Sequence, residues 1–385
     1  LDIPLDCIKN YSECVFAKGY ETEEINEALI KEACDLAANS DFVILFVGTT
    51  TVTESEGSDR KNMKLPDSHL KLVDEVSKVN KNVIVCNFSG SAVELGQVSR
   101  QVKAILHCGL LGEGGGEAIA DIIFGECNPS GKLTETFPVC IEHTPTYPYF
   151  PGYDEEVSYS EGILQGYRYY DTKKMSVEYP FGYGLSYTEY EYSNLKLSSH
   201  KLKNGERLEL NFDVTNVGQC AGSEIVQIYV SDQDSYMVRP DKELKGFARV
   251  NLAPGETKTV SVELDERAFA YYIPHLKKFA VETGRFSILV GASSRDIRLM
   301  DEMDFESDDN VRLPLTVHNT LGEFLEDARY REATLKLYNS LNITEENPVF
   351  PIIAGITLKA MPEFLRYFSI PKDEAVKLQE MILNS

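Results

Sequence analysis

The fold of the first part of the chain is decided by residues 42–47, which read Phe-Val-Ile-Leu-Phe-Val. Every position is apolar, a pattern typical of a central parallel strand that is buried on both faces. Two more apolar runs follow at 82–87 and 104–106, and helical patterns lie between the three runs, at 68–79 and 91–98. This alternation of strands and helices predicts an open α/β sheet.

The same alternation extends to both sides of these runs. A first strand is predicted near Cys14-Val15-Phe16, and a helix capped by Thr22 should follow it. Toward the other end, Gly114-Gly115-Gly116 opens a helix that runs from Glu117 to Phe124. We therefore assign residues 1–145 to one α/β domain.

Three further segments follow this domain. Residues 146–188 are dense in Tyr, Gly and Pro, and we interpret them as an ordered connector, because a flexible linker has no use for so many aromatic side chains. From 189 to 305 apolar and polar residues alternate, and turn signals such as Asn204-Gly205 separate the runs. This pattern predicts a fibronectin type III-like β-sandwich. Residues 306–385 are polar and then helical, which indicates a short helical tail.

The composition argues against some classes of partner. Of the 385 residues 43% are hydrophobic, which predicts packed cores. The formal net charge is −23, from 38 basic and 61 acidic residues. Such a surface repels phosphate backbones and anionic lipids, so we expect neither nucleic acid nor membrane as a partner. The sequence has no run of about 18 apolar residues, so no membrane-spanning helix is predicted.

The cysteines and histidines indicate no metal site. Eight cysteines lack CxxC spacing, and several, such as Cys86, lie in apolar runs. They are interpreted as reduced core residues of an intracellular, cytoplasmic protein, and a signal peptide would have to lie upstream of Leu1. Six histidines form no metal-binding spacing, so no metal or other cofactor is expected.

The most informative segment is the loop after the first apolar run, residues 48–60, Gly-Thr-Thr-Thr-Val-Thr-Glu-Ser-Glu-Gly-Ser-Asp-Arg. Ligands of open α/β sheets collect beyond the carboxyl ends of the strands. The loop holds two carboxylates, Glu54 and Glu56, and then Asp59 and Arg60. Glycoside hydrolysis uses one carboxyl to give and retake a proton and a second to attack or to direct water. A solvated acidic loop has the same composition, so this segment alone leaves both interpretations open.

A second glycine-rich segment, from Gly112 to Ala118, superficially resembles the GxGxxA pattern of dinucleotide-binding loops, although its alanine lies one residue further along. However, it follows a late strand of the domain, and Glu113 and Glu117 would flank a pyrophosphate unfavourably. We therefore favour a tight turn from strand to helix. The sequence also lacks a Gly-x-Ser-x-Gly elbow, which argues against a serine hydrolase.

A series of short motifs extends over residues 10–300. The motifs are Glu56-Gly57-Ser58-Asp59-Arg60, Leu65-Pro66, Gly114-Gly115, Asn128-Pro129-Ser130-Gly131-Lys132-Leu133, Thr136-Phe137-Pro138, Gly166-Tyr167-Arg168-Tyr169-Tyr170-Asp171, Pro180-Phe181-Gly182-Tyr183-Gly184, Val214-Thr215-Asn216-Val217-Gly218, Leu244-Lys245-Gly246-Phe247 and Ala253-Pro254-Gly255-Glu256. In this order they resemble the α/β-sandwich and fibronectin type III-like domains of family 3 glycoside hydrolases, the β-glucosidase-like enzymes.

The resemblance implies a retaining exo-acting β-glycosidase that hydrolyses terminal non-reducing β-D-glucosyl residues. In this family a glutamate on a loop of the α/β-sandwich domain protonates the leaving oxygen and later activates water. By motif position this general acid/base is Glu56, with Glu54 as the second choice. Asp59 and Arg60 are expected to pair with each other and fix the loop. The implied substrate is a β-linked oligosaccharide or an aryl or alkyl glucoside.

The resemblance also implies a missing partner. The family's nucleophile is an aspartate on an N-terminal (β/α)8 barrel, whose Lys-His and Ser-Asp-Trp motifs this sequence lacks, and there is no tryptophan at all. Retaining catalysis needs both carboxyl groups. We therefore expect the chain to be active only with a (β/α)8 barrel domain or subunit. The alternative is a non-catalytic sugar-binding or interaction module that keeps the same scaffold.

Overall fold

The structure, a computed structural model, describes residues 2–57 and 59–385 and divides after Asn310 into two units. The first unit contains an α/β part and a β-sandwich. The elements of the α/β part and connector are α1 (Pro4–Ile8), α2 (Glu27–Ala37), β1 (Val43–Gly48), α3 (Asp67–Val79), β2 (Val83–Phe88), α4 (Gly96–Ser99), β3 (Ala104–His107), α5 (Gly115–Phe124), β4 (Phe137–Pro138), α6 (Tyr167–Thr172) and β5 (Val177–Tyr179).

The predicted parallel sheet is confirmed. Its strands lie in the order β1-β2-β3, with Val43 opposite Val83 and Ile84 opposite Ala104. Helices α2 and α3 bury one face each against this sheet, because their apolar residues recur at helical spacing. As predicted, α5 begins at the glycine run, where Gly114 caps the helix at a φ of 80°.

Three predictions about local structure in this part are wrong. Residues 14–16 form no strand, and Val15 and Phe16 are both exposed, because no neighbouring strand pairs with them. Helix α2 starts at Glu27 rather than near Thr22, since the side chain of Asn26 accepts hydrogen bonds from two amides of its first turn. The helix predicted over 91–98 is reduced to α4, because Glu94 N donates to Met63 O at 2.7 Å and holds the preceding segment as a loop.

The predicted β-sandwich is also confirmed. Its strands are β6 (Tyr190–Leu197), β7 (Lys201–Lys203), β8 (Leu208–Asn216), β9 (Gly222–Asp232), β10 (Glu243–Leu252), β11 (Thr257–Leu264), β12 (Tyr271–Ile273), β13 (Lys278–Ala280), β14 (Gly284–Ser293) and β15 (Asp296–Glu306). One sheet has the order β10-β9-β14-β15-β7 and the other β11-β8-β6. The alternating residues of β8 point into the core between them and are fully buried at Leu208, Leu210 and Val214.

The connector is attached to both parts of the first unit. Strand β5 pairs with β4 at the end of the α/β part. On the sandwich side, the carboxylate of Asp171 in α6 is buried between Arg295 Nε at 2.7 Å and Lys242 Nζ at 3.3 Å. The backbone N–H of Leu244 donates to Tyr167 Oη at 2.7 Å. These buried polar contacts fix the connector against the sandwich, because breaking a buried pair leaves an uncompensated charge.

The second unit, from Val311 to Ser385, is helical, as predicted for the tail. Its helices are α7 (Leu321–Glu326), α8 (Arg331–Ser340), α9 (Phe350–Ala354), α10 (Met361–Phe364) and α11 (Lys372–Leu383). They surround a core of their own that includes Phe324, Leu337 and Leu365. Helix α7 starts with a capping box, in which Thr320 and Glu323 satisfy each other's backbone N–H groups. In neither described part of the chain, 2–57 or 59–385, is any helix sufficiently long and apolar to span a bilayer.

Candidate active site

The candidate site lies at the carboxyl edge of the parallel sheet. Because β1, β2 and β3 run in the same direction, the loops that follow them meet at one edge. These loops are residues 49–60, 89–95 and 108–114. The predicted residues Glu54 and Glu56 therefore lie in the first loop of a three-loop cluster.

Glu54 links the first two loops at their base. Its Oε2 accepts a hydrogen bond from Thr49 Oγ1, directly after β1, and a second from the backbone N–H of Gly90 at 3.1 Å. A Cβ at position 90 would overlap Glu54 Oε1, so any residue other than glycine must displace the Glu54 carboxylate. The carboxylate of Glu54 therefore connects the ends of two neighbouring strands.

The segment between Thr49 and Glu54 is a closed turn. The carbonyl of Thr50 accepts hydrogen bonds from the N–H groups of Thr53 at 3.1 Å and Glu54 at 2.8 Å. The hydroxyl of Thr50 donates to Glu23, and Thr53 Oγ1 accepts from Thr50 N at 2.9 Å. Threonine hydroxyls that bond to their own turn favour such local structure. The turn returns the chain to Glu54 and directs the next residues outward.

Glu56 lies beyond this turn and is exposed. Within residues 2–57 and 59–385 its carboxylate has no hydrogen-bond or ion-pair partner. The next residue, Gly57, has a φ of 84°, a conformation that favours glycine. Although they are only two residues apart, Glu54 and Glu56 therefore differ in their surroundings: Glu54 is bonded into the loop base, and Glu56 is exposed.

The expected pair between Asp59 and Arg60 is not formed. Asp59 is exposed, whereas Arg60 turns toward the second loop and donates from Nη1 to Ser91 Oγ at 2.7 Å. Its Nη2 is buried without a hydrogen-bond partner among the described residues. Arg60 therefore attaches the far end of the first loop to the second loop. The sequence around Arg60 could not reveal this contact.

A carboxyl that sequence reasoning missed, Glu135, lies against the Ala92 backbone on the same side of the loops. Burial raises the pKa of Glu135, and the nearby Glu54 adds to this, while the Ala92 N–H and Arg60 lower it. Glu135 lies between two motifs of the sequence analysis, one ending at Leu133 and the other starting at Thr136. Its position, 75 residues after Arg60, gave no sign that the two share a site.

Neutral polar groups form the floor below the loops. Asn87 is fully buried, accepts from Ser89 Oγ at 3.0 Å, and donates from Nδ2 to Nδ1 of His107 at 3.0 Å. Burial lowers the pKa of His107, which keeps its ring neutral and Nδ1 free to accept. The described residues contain no cluster of His, Cys, Asp and Glu that could hold a metal ion.

A buried histidine fixes the end of β1. The backbone N–H of Gly48 donates to His69 Nδ1 at 3.3 Å, and the ring packs on Tyr20 with 3.9 Å between ring centroids. Burial lowers the pKa of His69 to about 4, while the negative charge of Glu23 opposes this shift. The imidazole is therefore neutral at physiological pH and acts as a hydrogen-bond acceptor for the strand end.

Comparisons with known proteins agree with this architecture. The family described as glycosyl hydrolase family 3 C-terminal domain matches residues 2–187, and the fibronectin type III-like domain matches residues 224–294. Thermostable β-glucosidase B of Acetivibrio thermocellus is 45% identical over 316 residues, which are 82% of this chain and 42% of that protein. Exo-α-(1→6)-L-arabinopyranosidase of Bifidobacterium longum is 39% identical over 314 residues, 81% of this chain and 41% of that protein.

A solved structure supports the same relation. The crystal structure of a Bifidobacterium adolescentis family 3 β-glucosidase superposes with a TM-score of 0.78 at 37% identity, over 86% of this chain and 49% of that chain. The fold is thus that of the C-terminal domains of a group of glycoside hydrolases. The chain belongs to glycoside hydrolase family 3. It spans 42% of the length of the first relative named above.

The contact between Glu54 and Gly90 leads to a first prediction. In Gly90→Ala the new methyl group must displace the Glu54 carboxylate, so the base of the first loop should loosen at a cost of about 1–3 kcal/mol. Hydrogen exchange measured by mass spectrometry should show faster exchange across residues 49–57. Gly112→Ala is the matched control, because a Cβ at Gly112 has no atom within 4 Å. Equal exchange in the two variants would contradict the anchoring role of Glu54.

The buried His69 leads to a second prediction. Its folded pKa, about 4, is below the usual value of 6.5, so the unfolded chain binds the extra proton. The stability contributed by the neutral ring is therefore complete above pH 6.5 and falls by up to about 1.4 kcal/mol per pH unit between pH 6.5 and 4. Urea unfolding of wild type and His69→Asn, compared at several pH values, should show a smaller pH dependence in the variant. Parallel curves across this range would contradict a neutral, buried His69.

Proposed function

We propose that this chain supplies the general acid/base, Glu56, of a retaining β-glucosidase that removes terminal non-reducing β-D-glucosyl residues. One observation carries the proposal: of the two loop carboxylates, Glu54 is bonded to Thr49 and Gly90, and Glu56 is exposed with no partner among the described residues. A general acid must come within hydrogen-bond reach of the glycosidic oxygen, which is easiest for a carboxyl that is not already bonded within the protein. Glu56 meets this requirement, and Glu54 does not.

In the proposed reaction, the Glu56 carboxyl donates its proton to the glycosidic oxygen while an aspartate attacks the anomeric carbon. The glycosyl–aspartate ester is then hydrolysed by water, from which the Glu56 carboxylate takes a proton. The attacking aspartate of this family lies on a (β/α)8 barrel, and the two matched domains do not include it. We therefore propose such a barrel as the partner, with its nucleophile about 5–5.5 Å from the Glu56 carboxyl.

The other loop residues have supporting roles in this proposal. Arg60 holds the far end of the loop through Ser91 and Ala92, and Glu54 holds the near end through Gly90. Two fixed ends limit the positions that Glu56 can take, and such limits are needed to keep a catalytic group within a fraction of an ångström. Asp59 is exposed beside Arg60 in the same loop.

The proposed substrates are β-linked gluco-oligosaccharides and aryl or alkyl β-glucosides. β-Glucosidases predominate among the named relatives, but arabinopyranosidases occur at similar identity. A neutral sugar suits a chain with a net charge of −23, which disfavours nucleic acid and anionic lipid as ligands. All eight cysteines are free, and we propose a reducing compartment such as the cytoplasm.

The test is a chimaera in which the N-terminal portion of Acetivibrio thermocellus β-glucosidase B precedes this complete chain. The substitution Glu56→Ala removes the proton donor. It should therefore lower kcat on methyl β-glucoside by roughly 10²–10⁴-fold. On 2,4-dinitrophenyl β-glucoside the rate of the first step should fall much less, because the leaving group of this substrate needs no proton. Azide should then accelerate turnover of the dinitrophenyl substrate, because it attacks the glycosyl ester without a base and releases β-glucosyl azide.

Glu54→Ala is the matched control for this test. This variant should lower the activity on both substrates to a similar extent, because its loop is loosened. It should give no β-glucosyl azide. If β-glucosyl azide forms with Glu54→Ala and not with Glu56→Ala, the two roles are exchanged and the proposal is wrong. If the chimaera hydrolyses neither aryl β-glucoside nor aryl α-L-arabinopyranoside and is indifferent to both substitutions, a non-catalytic module is favoured.

A further inference from the structure

A groove lies where the end of the α/β part meets the outer face of the sandwich. It encloses about 350 Å³ and is lined mainly by apolar side chains. Its floor is formed by Ile225 and Gln227 of β9, and one wall is the segment 130–134. The opposite wall consists of Phe247 and Arg249 of β10. None of the residues that the structure describes in the loop 49–60 lines it.

Phe247 is the most conspicuous side chain of this groove. It lies on the outer face of β10, opposite Gln227 of β9, and is 71% exposed. Arg249 lies two residues further on the same face, opposite Ile225, and is also exposed. Phe247 ends the motif Leu244-Lys245-Gly246-Phe247, which the proposed catalytic reaction does not use. A single exposed apolar residue is common on protein surfaces, but Phe247 shares the groove with Phe181, Ile225 and Leu244. A contiguous apolar patch of this kind indicates a binding surface.

The groove is rigid without a ligand. Gln227 Nε2 donates to Gly182 O at 3.0 Å and Ala292 O at 2.8 Å, which fixes the floor against the connector. On the wall formed by residues 130–134, Lys132 Nζ donates to Gly184 O at 3.1 Å and forms a buried ion pair with Glu224 at 3.1 Å. A preformed groove loses little entropy when a ligand binds.

The polar groups at the rim are free to bind. The hydroxyls of Ser130 and Thr134 line the groove and have no hydrogen-bond partner among the described residues. Across the groove, the Arg249 guanidinium donates to Ser223 Oγ at 3.2 Å and keeps further N–H groups exposed. The groove thus combines one flat aromatic face with hydroxyl and guanidinium groups at its edge.

We propose that this groove is a second carbohydrate-binding site, which holds a β-linked gluco-oligosaccharide away from the catalytic loop. A β-glucopyranosyl ring has an apolar face of C–H groups and a rim of hydroxyls, which matches an aromatic platform with polar groups around it. Only the chemical class of the ligand rests on the proposed function. The binding itself needs neither Glu56 nor a barrel.

The experiment is a titration of the purified 385-residue chain with cellotetraose, followed by isothermal calorimetry and by line broadening of the sugar NMR signals. Wild type should bind saturably at roughly millimolar concentration, as expected for a shallow site. Phe247→Ala should weaken binding by about tenfold or more, because the apolar contact area is lost. Arg249→Ala should also weaken binding, and it is a second exposed position should Phe247→Ala disturb folding.

Two controls separate this site from others. Phe279→Ala removes another partly exposed aromatic side chain of the sandwich, 45% exposed and outside the groove, and should bind cellotetraose as wild type does. Glu56→Gln should also bind normally. Binding that is lost in Glu56→Gln and kept in Phe247→Ala would place the sugar at the catalytic loop and overturn this proposal without affecting the proposed function.

Two other outcomes would also overturn it. No detectable binding of cellotetraose by wild type at ten millimolar, roughly the weakest affinity of a functional sugar site, would exclude the proposed ligand. Sedimentation that shows self-association of wild type, abolished by Phe247→Ala, would identify a second copy of the chain as the occupant.

Discussion

The geometry of the candidate site depends on one carboxylate, that of Glu54, which accepts hydrogen bonds from Thr49 and Gly90 at the ends of two neighbouring strands. Hydrogen bonds to a charged acceptor are among the stronger ones in proteins. Because these two hydrogen bonds hold Glu54 at the sheet, the next carboxylate, Glu56, is directed away from it. A loop with two glutamates at i and i+2 thereby places one carboxylate at the loop base and leaves the other exposed.

The second constraint is the attachment of the connector to the sandwich. Tyr167 stacks on Phe181 with 4.5 Å between ring centroids, and the buried Asp171 is paired with Arg295 and Lys242. A segment that carries so many buried aromatic and charged contacts cannot move as a flexible linker. It holds the outer face of the sandwich beside the segment 130–134, which shapes the groove that contains Phe247.

Much of the fold could be predicted from the sequence, because the signals were local. The apolar run of β1, the glycine turn before α5 and the alternation in β8 each specify their element through their own side chains. The predictions of local structure were wrong where contacts between distant residues determine the secondary structure. Residues 14–16 have no strand to pair with, and the Glu94–Met63 hydrogen bond replaces a predicted helix. Within the site, the motif indicated Glu56, but the task of Glu54 depends on Gly90, 36 residues away, and that of Arg60 on Ser91.

The central claim is that Glu56, and not Glu54, faces the glycosidic oxygen. The most direct measurement is a crystal structure of the assembled enzyme with a thio-linked disaccharide, whose bond is cleaved too slowly to be lost. The account predicts a Glu56 carboxyl oxygen within about 3.5 Å of the bridging sulfur, with Glu54 still bonded to Gly90. A Glu54 carboxyl at the sulfur, or a Glu56 side chain directed into solvent, would contradict it.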